Sequence, residues 1–333
     1  MSVLDWFRSE SKQFRATFLP RAGGATAVAQ AHYVRLWVVE MMLADGRKLF
    51  DKYTPAVHGA VRFTAGQQTR EIATIAGPAA LPGLSKVEGD VVHDRRALTG
   101  LVPFAGGQVE LGVGLVRYRK GDGAVDALIE LLGSLSGLLK LPDAGTLAKV
   151  ANPVREGIQR LAGAGDRSLL LSYHADHAGD AAAGGHPLQA GYVAIIRSDK
   201  PGLVSVVNDQ LFVDGQPLRQ TDAMLLAVEV AETRDDWQSF GAWSALLEAA
   251  VDAERGGNPG QARTLLEQAR KAIRASEDLT ANDRKRVWAA VEQEFAEQTS
   301  RGAGLAPSGG GSFLERALAA GPTPAEAATL PAP

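Results

Sequence analysis

Along residues 32–43, HYVRLWVVEMML, apolar side chains occupy both parities and β-branched and aromatic residues dominate. Such a run predicts a strand buried on both faces. Residues 56–66 alternate in part, with Val57, Gly59, Val61 and Phe63 sharing a face, and 70–78, REIATIAGP, read as a short strand closed by Gly-Pro. In 106–119, GGQVELGVGLVRYR, Val109, Leu111, Val113 and Leu115 share one face and Gly112 and Gly114 the other. Small residues on one side of a strand predict close approach of another backbone, or a bend. The period then changes. Residues 122–142 carry apolar side chains at 125, 128, 129, 132, 135 and 139, a helical stripe, and 144–165 read as one or two more helices broken near Pro153. Strand patterns return at 167–173, 190–198, 202–218 and 223–232, with Asp214-Gly215 marking a hairpin turn.

These patterns predict an α+β protein: a β-rich, sandwich-like domain over 30–235 with a helical insertion at 123–164, then a C-terminal helical hairpin within a three-helix region at 236–299. Strands and helices do not alternate regularly, which argues against a doubly wound α/β fold. In the helical region Pro259 suits a first turn, and Thr280 with Asp283 forms a variant of the Ser/Thr-x-x-Glu capping box. Residues 1–29 read as an N-terminal arm. Residues 300–333, rich in Gly, Pro, Ala and Ser, read as a disordered tail with too little apolar surface to offset the entropy of ordering it.

Leu246, Ala249, Ala250 and Ala253, followed by Ala262, Leu266 and Ala269, resemble the small–large–small spacing of a tetratricopeptide repeat. The resemblance covers one repeat of about 34 residues. A lone repeat cannot bury its own face, so an ordinary helical hairpin is the expectation.

Composition narrows the functional classes. The chain has 35 basic and 38 acidic residues, a net charge of -3, which gives no general attraction to nucleic acid or anionic lipid. The basic clusters HDRR (93–96), RYRK (117–120) and DRKR (283–286) are short and read as solvated faces. The absence of cysteine removes disulfides, thiolate catalysis and cysteine-ligated metals. The acidic, interrupted N-terminus does not read as a signal peptide, and no run of about 18 apolar residues predicts a membrane span. A cytoplasmic, bacterial-type protein is the expectation. The 125–139 stripe bears Asp126, Glu130 and Lys140 on its polar side, whereas surface-seeking helices carry lysines and arginines there, so membrane action is a minor alternative.

One stretch reads like chemistry. In LLLSYHADHAGD (169–180) and the loop beyond it, His174, His177 and His186 fall within 13 residues, with Asp176 among them. Imidazole and carboxylate are ligands for zinc or another divalent ion. The segment SYHADHAG resembles the His-x-His-x-Asp-His motif of the metallo-β-lactamase fold: His174, Asp176 and His177 match its last three positions, and Ser172 departs from the first. The resemblance covers about eight residues. Only His186 lies downstream, so the remaining ligands cannot follow in that family's order. At a strand end His174 and Asp176 share a face, and His177 needs a turn to join them. GSLSG (133–137) misses the nucleophile-elbow register by one residue.

The expected function is therefore non-enzymatic: a protein-interaction or scaffold protein with a β-rich recognition domain, a helical adaptor and a protein partner, without cofactor or nucleic acid. The alternatives are a metal-dependent hydrolase using His174, Asp176, His177 and His186, and a membrane-acting effector using 123–164.

Overall fold

The structure is a computed structural model that describes residues 15–45, 47–48, 51–65, 68–76, 87–88, 91–119, 169–178, 188–198, 202–239 and 242–301. The helical stripes at 123–164, GSLSG and residues 302–333 lie outside the described residues. The protein is sheet-rich and α+β, with three sheets. It divides between Thr233 and Arg234 into two compact units.

The strands of the first unit, in chain order, are β1 (Arg15–Pro20), β2 (Tyr33–Met42), β3 (Arg47–Lys48), β4 (Asp51–Ala65) and β5 (Gln68–Ala76). Then come β6 (Val87–Glu88), β7 (Val91–Ala97), β8 (Val102–Pro103), β9 (Gln108–Arg119) and β10 (Leu169–Ala178). The last are β11 (Gly191–Ile196), β12 (Val204–Val207), β13 (Gln210–Val213), β14 (Gln216–Pro217) and β15 (Ala223–Ala231). Sheet one has the order β1-β11-β15-β2-β7-β6, with β8 also on β2; sheet two runs β10-β9-β4, with β3 and β5 also on β4; β12-β13-β14 form a third, small meander. Every described pairing is antiparallel. Both meander turns have two residues at positive φ, Asn208-Asp209 and Asp214-Gly215, the conformation that matches strand twist in tight hairpins.

One apolar core lies between sheets one and two and includes Val34, Leu36 and Val38 of β2, Val57 and Val61 of β4, and Val109, Leu111, Val113 and Leu115 of β9. A second lies on the opposite face of sheet one, where Val39, Met42, Ala194, Ile196 and Leu225 meet Val204 and Leu211 of the meander. Sheet one is thus covered on both faces, which is why β2 and β15 are apolar on both parities. Residues 15–20, assigned from sequence to an N-terminal arm, instead form the edge strand β1 against β11. Only Arg15, Thr17 and Leu19 are half-buried, so the apolar signal of this edge is weak.

A bulge in β2 changes the pattern partway along. Against β15, Leu225 faces Glu40 while Leu226 faces Val38, and Val39 is the extra residue. The inserted residue reverses parity: Val34, Leu36 and Val38 face the inter-sheet core, and beyond the bulge Met41 and Leu43 do so. Glu40 is thereby turned under the meander, 2% exposed, with Oε2 accepting the Leu211 N–H at 2.7 Å and His93 Nδ1 3.4 Å from Oε1.

The second unit holds a 3-10 turn (Asp235–Ser239) and the helices α1 (Ala242–Arg255), α2 (Pro259–Ala275) and α3 (Ala281–Arg301). Gly257, at positive φ, ends the first, and the Asn258 side chain accepts the Gln261 N–H to open the second with Pro259 in its first turn. Trp237, Trp243, Leu247, Ile273, Val287 and Val291 share its core. Thr280 Oγ1 accepts the Asp283 N–H at 3.2 Å, one half of a capping box. The other half is diverted: Asp283 Oδ2 accepts the Arg234 N–H at 3.0 Å and Oδ1 accepts from Arg286, which also donates to the Arg234 carbonyl. Fully buried Arg234 donates in turn to Asp236 at 2.6 Å and to the Asp278 carbonyl at 3.2 Å.

Burial pushes the Glu40 carboxyl up to about 7, against the Leu211 N–H and Arg219, which lower it. Folding therefore takes up a proton between the unfolded carboxyl's range and about pH 7, so this contribution to stability is complete below pH 4.5 and is lost as pH rises through 7. Glu40→Gln keeps an acceptor for Leu211 without the charge. It is expected to gain about 2 kcal/mol over the wild type between pH 5 and pH 8, read by urea denaturation across that range; a pH-independent difference would refute the assignment. In the second unit, Asp283→Asn removes the buried anion that pairs with Arg286 and accepts the Arg234 N–H. The expected cost is about 2–4 kcal/mol, measured as an earlier loss of helical circular dichroism in urea.

Candidate functional site

On β4, β9 and β10 the odd-numbered positions Val57, Val61, Val109, Leu111, Val113 and Tyr173 face the inter-sheet core. Even-numbered positions therefore form the outer face of sheet two. Its rows follow from the register: Arg62, Glu110 and Asp176 lie side by side, then Ala60, Gly112 and His174, then His58, Gly114 and Ser172.

Glu110, 5% exposed, is the hub. Its Oε2 accepts from Arg62 Nη1 at 2.8 Å, and its Oε1 lies 2.8 Å from His174 Nε2. An ionised carboxylate can only accept, so in this pairing the imidazole proton sits on Nε2. Asp176 is exposed beside them, and one ligand atom each from Glu110, His174 and Asp176 lies within 4.8 Å of the other two. Two carboxylates and an imidazole are a nitrogen–oxygen donor set.

Of the residues singled out from sequence, His174 and Asp176 share this face. His177 has the other parity, is opposite Val109 and is buried on the core side. His186 lies outside the described residues. Sequence reasoning missed Glu110 and Arg62. The available signal was position: Glu110 is the one charge on the glycine-bearing face of VELGVGLV, and only the β4–β9–β10 register brings Arg62 and His174 to it.

Two other histidines are placed elsewhere: His32 Nδ1 accepts the Val28 N–H at 2.8 Å, and His93 lies by Glu40. His58 shares the outer face with His174. It is 2% exposed, and burial pushes its pKa down to about 3.

A second polar group lies on the far face of sheet one. Leu19, Tyr192, Ala227, Trp37 and Ala97 form one row across β1, β11, β15, β2 and β7. Trp37 Nε1 donates to Glu229 Oε2 at 2.6 Å, and Arg35 grips both Glu229 oxygens at 2.8 and 3.0 Å. Arg35 and Arg95 lie over the indole at 4.4 and 5.0 Å. Asp209 joins this group to the meander, accepting from the Tyr192 hydroxyl at 2.6 Å and from Arg95 at 3.2 Å. Burial pushes the Glu229 carboxyl up, but Arg35 and Trp37 outweigh it and hold it below the usual range; burial and Asp209 together raise Tyr192.

His58 also sets an acid limit. Neutral in the fold, it accepts a proton on unfolding at any pH between about 3 and 6.5. Its contribution to stability is present above pH 6.5 and is lost as pH falls through that window. His58→Gln is expected to remove up to about 1.4 kcal/mol per pH unit of the acid-side slope, measured by urea denaturation between pH 6.5 and pH 4; an unchanged slope would place the proton uptake elsewhere.

No protein-family model, curated protein or solved structure matches this chain.

Proposed function

We propose that the protein works by binding another protein, as a non-enzymatic recognition or scaffold module, with the Trp37 face of sheet one as the contact. Residues 30–235 act as the recognition domain and 236–299 as a helical adaptor. The carrying observation is Trp37 with Arg35 and Arg95 over its ring and its Nε1 tied to Glu229, in one row with Tyr192. Trp, Tyr and Arg are the residues that dominate binding energy at protein interfaces. Here they are half-exposed and already fixed by hydrogen bonds, so little side-chain entropy remains to be lost on docking. Arg35 and Arg95 each already face a carboxylate, Glu229 and Asp209. Among the described residues no helix is long and apolar enough to cross a membrane. The membrane-acting alternative rests on 123–164, outside the described residues.

The test is comparative affinity capture with immobilised full-length protein. A retained protein is expected whose recovery drops about thirtyfold with Trp37→Ala and also with Arg95→Glu, a charge reversal at an exposed position. Melting curves of both variants establish that they fold. Retention of the same proteins at wild-type levels by both folded variants would reject this face as the contact.

A further inference from the structure

The geometry points to a divalent transition-metal site, of the zinc or manganese class, built by Glu110, His174 and Asp176 on the outer face of sheet two. The site is independent of the Trp37 face. Its donors come from adjacent strands in fixed register: Asp176 is opposite Glu110, and His174 is opposite Gly112, two residues further along β9. A rigid sheet is the kind of support that holds ligands in place better than a loop.

The dimensions suit an ion. Nitrogen and oxygen donors at about 2.0–2.2 Å from a metal are about 3.0–3.5 Å from each other. His174 Nε2 and Glu110 Oε1 are 2.8 Å apart, so this pair opens slightly, while exposed Asp176 closes from within 4.8 Å by side-chain rotation. Gly112 has no side chain to occupy the space beside His174 on this face. Arg62 holds the second oxygen of Glu110, which fixes the carboxylate plane as hydrogen-bonded partners do around metal ligands.

Charge favours the same occupant. Two of the three donors are carboxylates, and Arg62 is paired with one of them, Glu110. Metal binding takes the imidazole tautomer with its proton on Nδ1, which leaves the Nε2 lone pair for the ion. One imidazole with two carboxylates favours zinc, manganese or ferrous iron over calcium and magnesium, which prefer all-oxygen sets. Three protein donors leave a coordination position open to water or a ligand. This set differs from the sequence candidates: Glu110 enters, and His177 lies on the other face of β10.

The experiment is calorimetric titration of chelator-stripped full-length protein with zinc chloride and, separately, manganese chloride, with melting temperature followed in parallel. Roughly one equivalent per chain is expected to bind and to raise the melting temperature. His174→Gln and Asp176→Asn are each expected to weaken binding at least tenfold, roughly. Their metal-free melting curves, compared with wild type, show whether the fold is retained. Absence of binding to the wild type would overturn the site, as would wild-type affinity in both folded variants. Loss of binding in His177→Gln or His186→Gln with full binding in His174→Gln would overturn it too.

Discussion

Sheet one is buried on both faces, and the rest of the first unit follows from that constraint. The inter-sheet core covers one side and the β12-β13-β14 meander the other. Every central strand must then be apolar on both parities, and β15 meets this with Ala223–Val228 buried without interruption. A polar group in the covered stretch of such a strand has no route to water. Glu40 is the test of the rule: the bulge at Val39 turns it under the meander, where it finds the Leu211 N–H and His93. Of the two other acids near this face, Glu229 lies toward the rim of the sheet and Asp209 in the meander turn, each beside an arginine.

Two of the buried titratable groups, Glu40 and His58, oppose each other. Glu40 holds its proton more tightly in the fold, whereas His58 gives its proton up. Between pH 4.5 and 6.5 the first contribution falls as pH rises and the second grows, so their slopes largely cancel. A protein carrying both can show a flat stability profile with no shortage of strained groups, and the single substitutions separate what the wild type conceals.

The sheet-rich α+β character is legible because burial on two faces leaves a mark: nine of the twelve residues of HYVRLWVVEMML are apolar or aromatic, on both parities. The two faces of β9 were legible too, from valine and leucine alternating with glycine. What escaped depends on neighbours far away in sequence. Edge strand β1 is half-buried on one side only, so RATFLP carries little pattern and was read as an arm. The bulge at Val39 has no composition of its own; it exists only relative to β15 and β7. His174 and Asp176 could be put on one face from alternation alone. Glu110 and Arg62 could not be added, because they reach that face from β9 and β4 through pairings that span 48 to 64 residues.

The two polar groups differ in the side chains they gather. Around Trp37, Arg35 pairs with Glu229 and Arg95 with Asp209, so the arginines beside the indole are matched by carboxylates. Around Glu110, among the described residues, two carboxylates, a guanidinium and an imidazole gather on one face, a set of nitrogen and oxygen donors. On the proposed readings, one face of the sheet architecture offers an aromatic surface to a polypeptide and the other offers donors to a small cation.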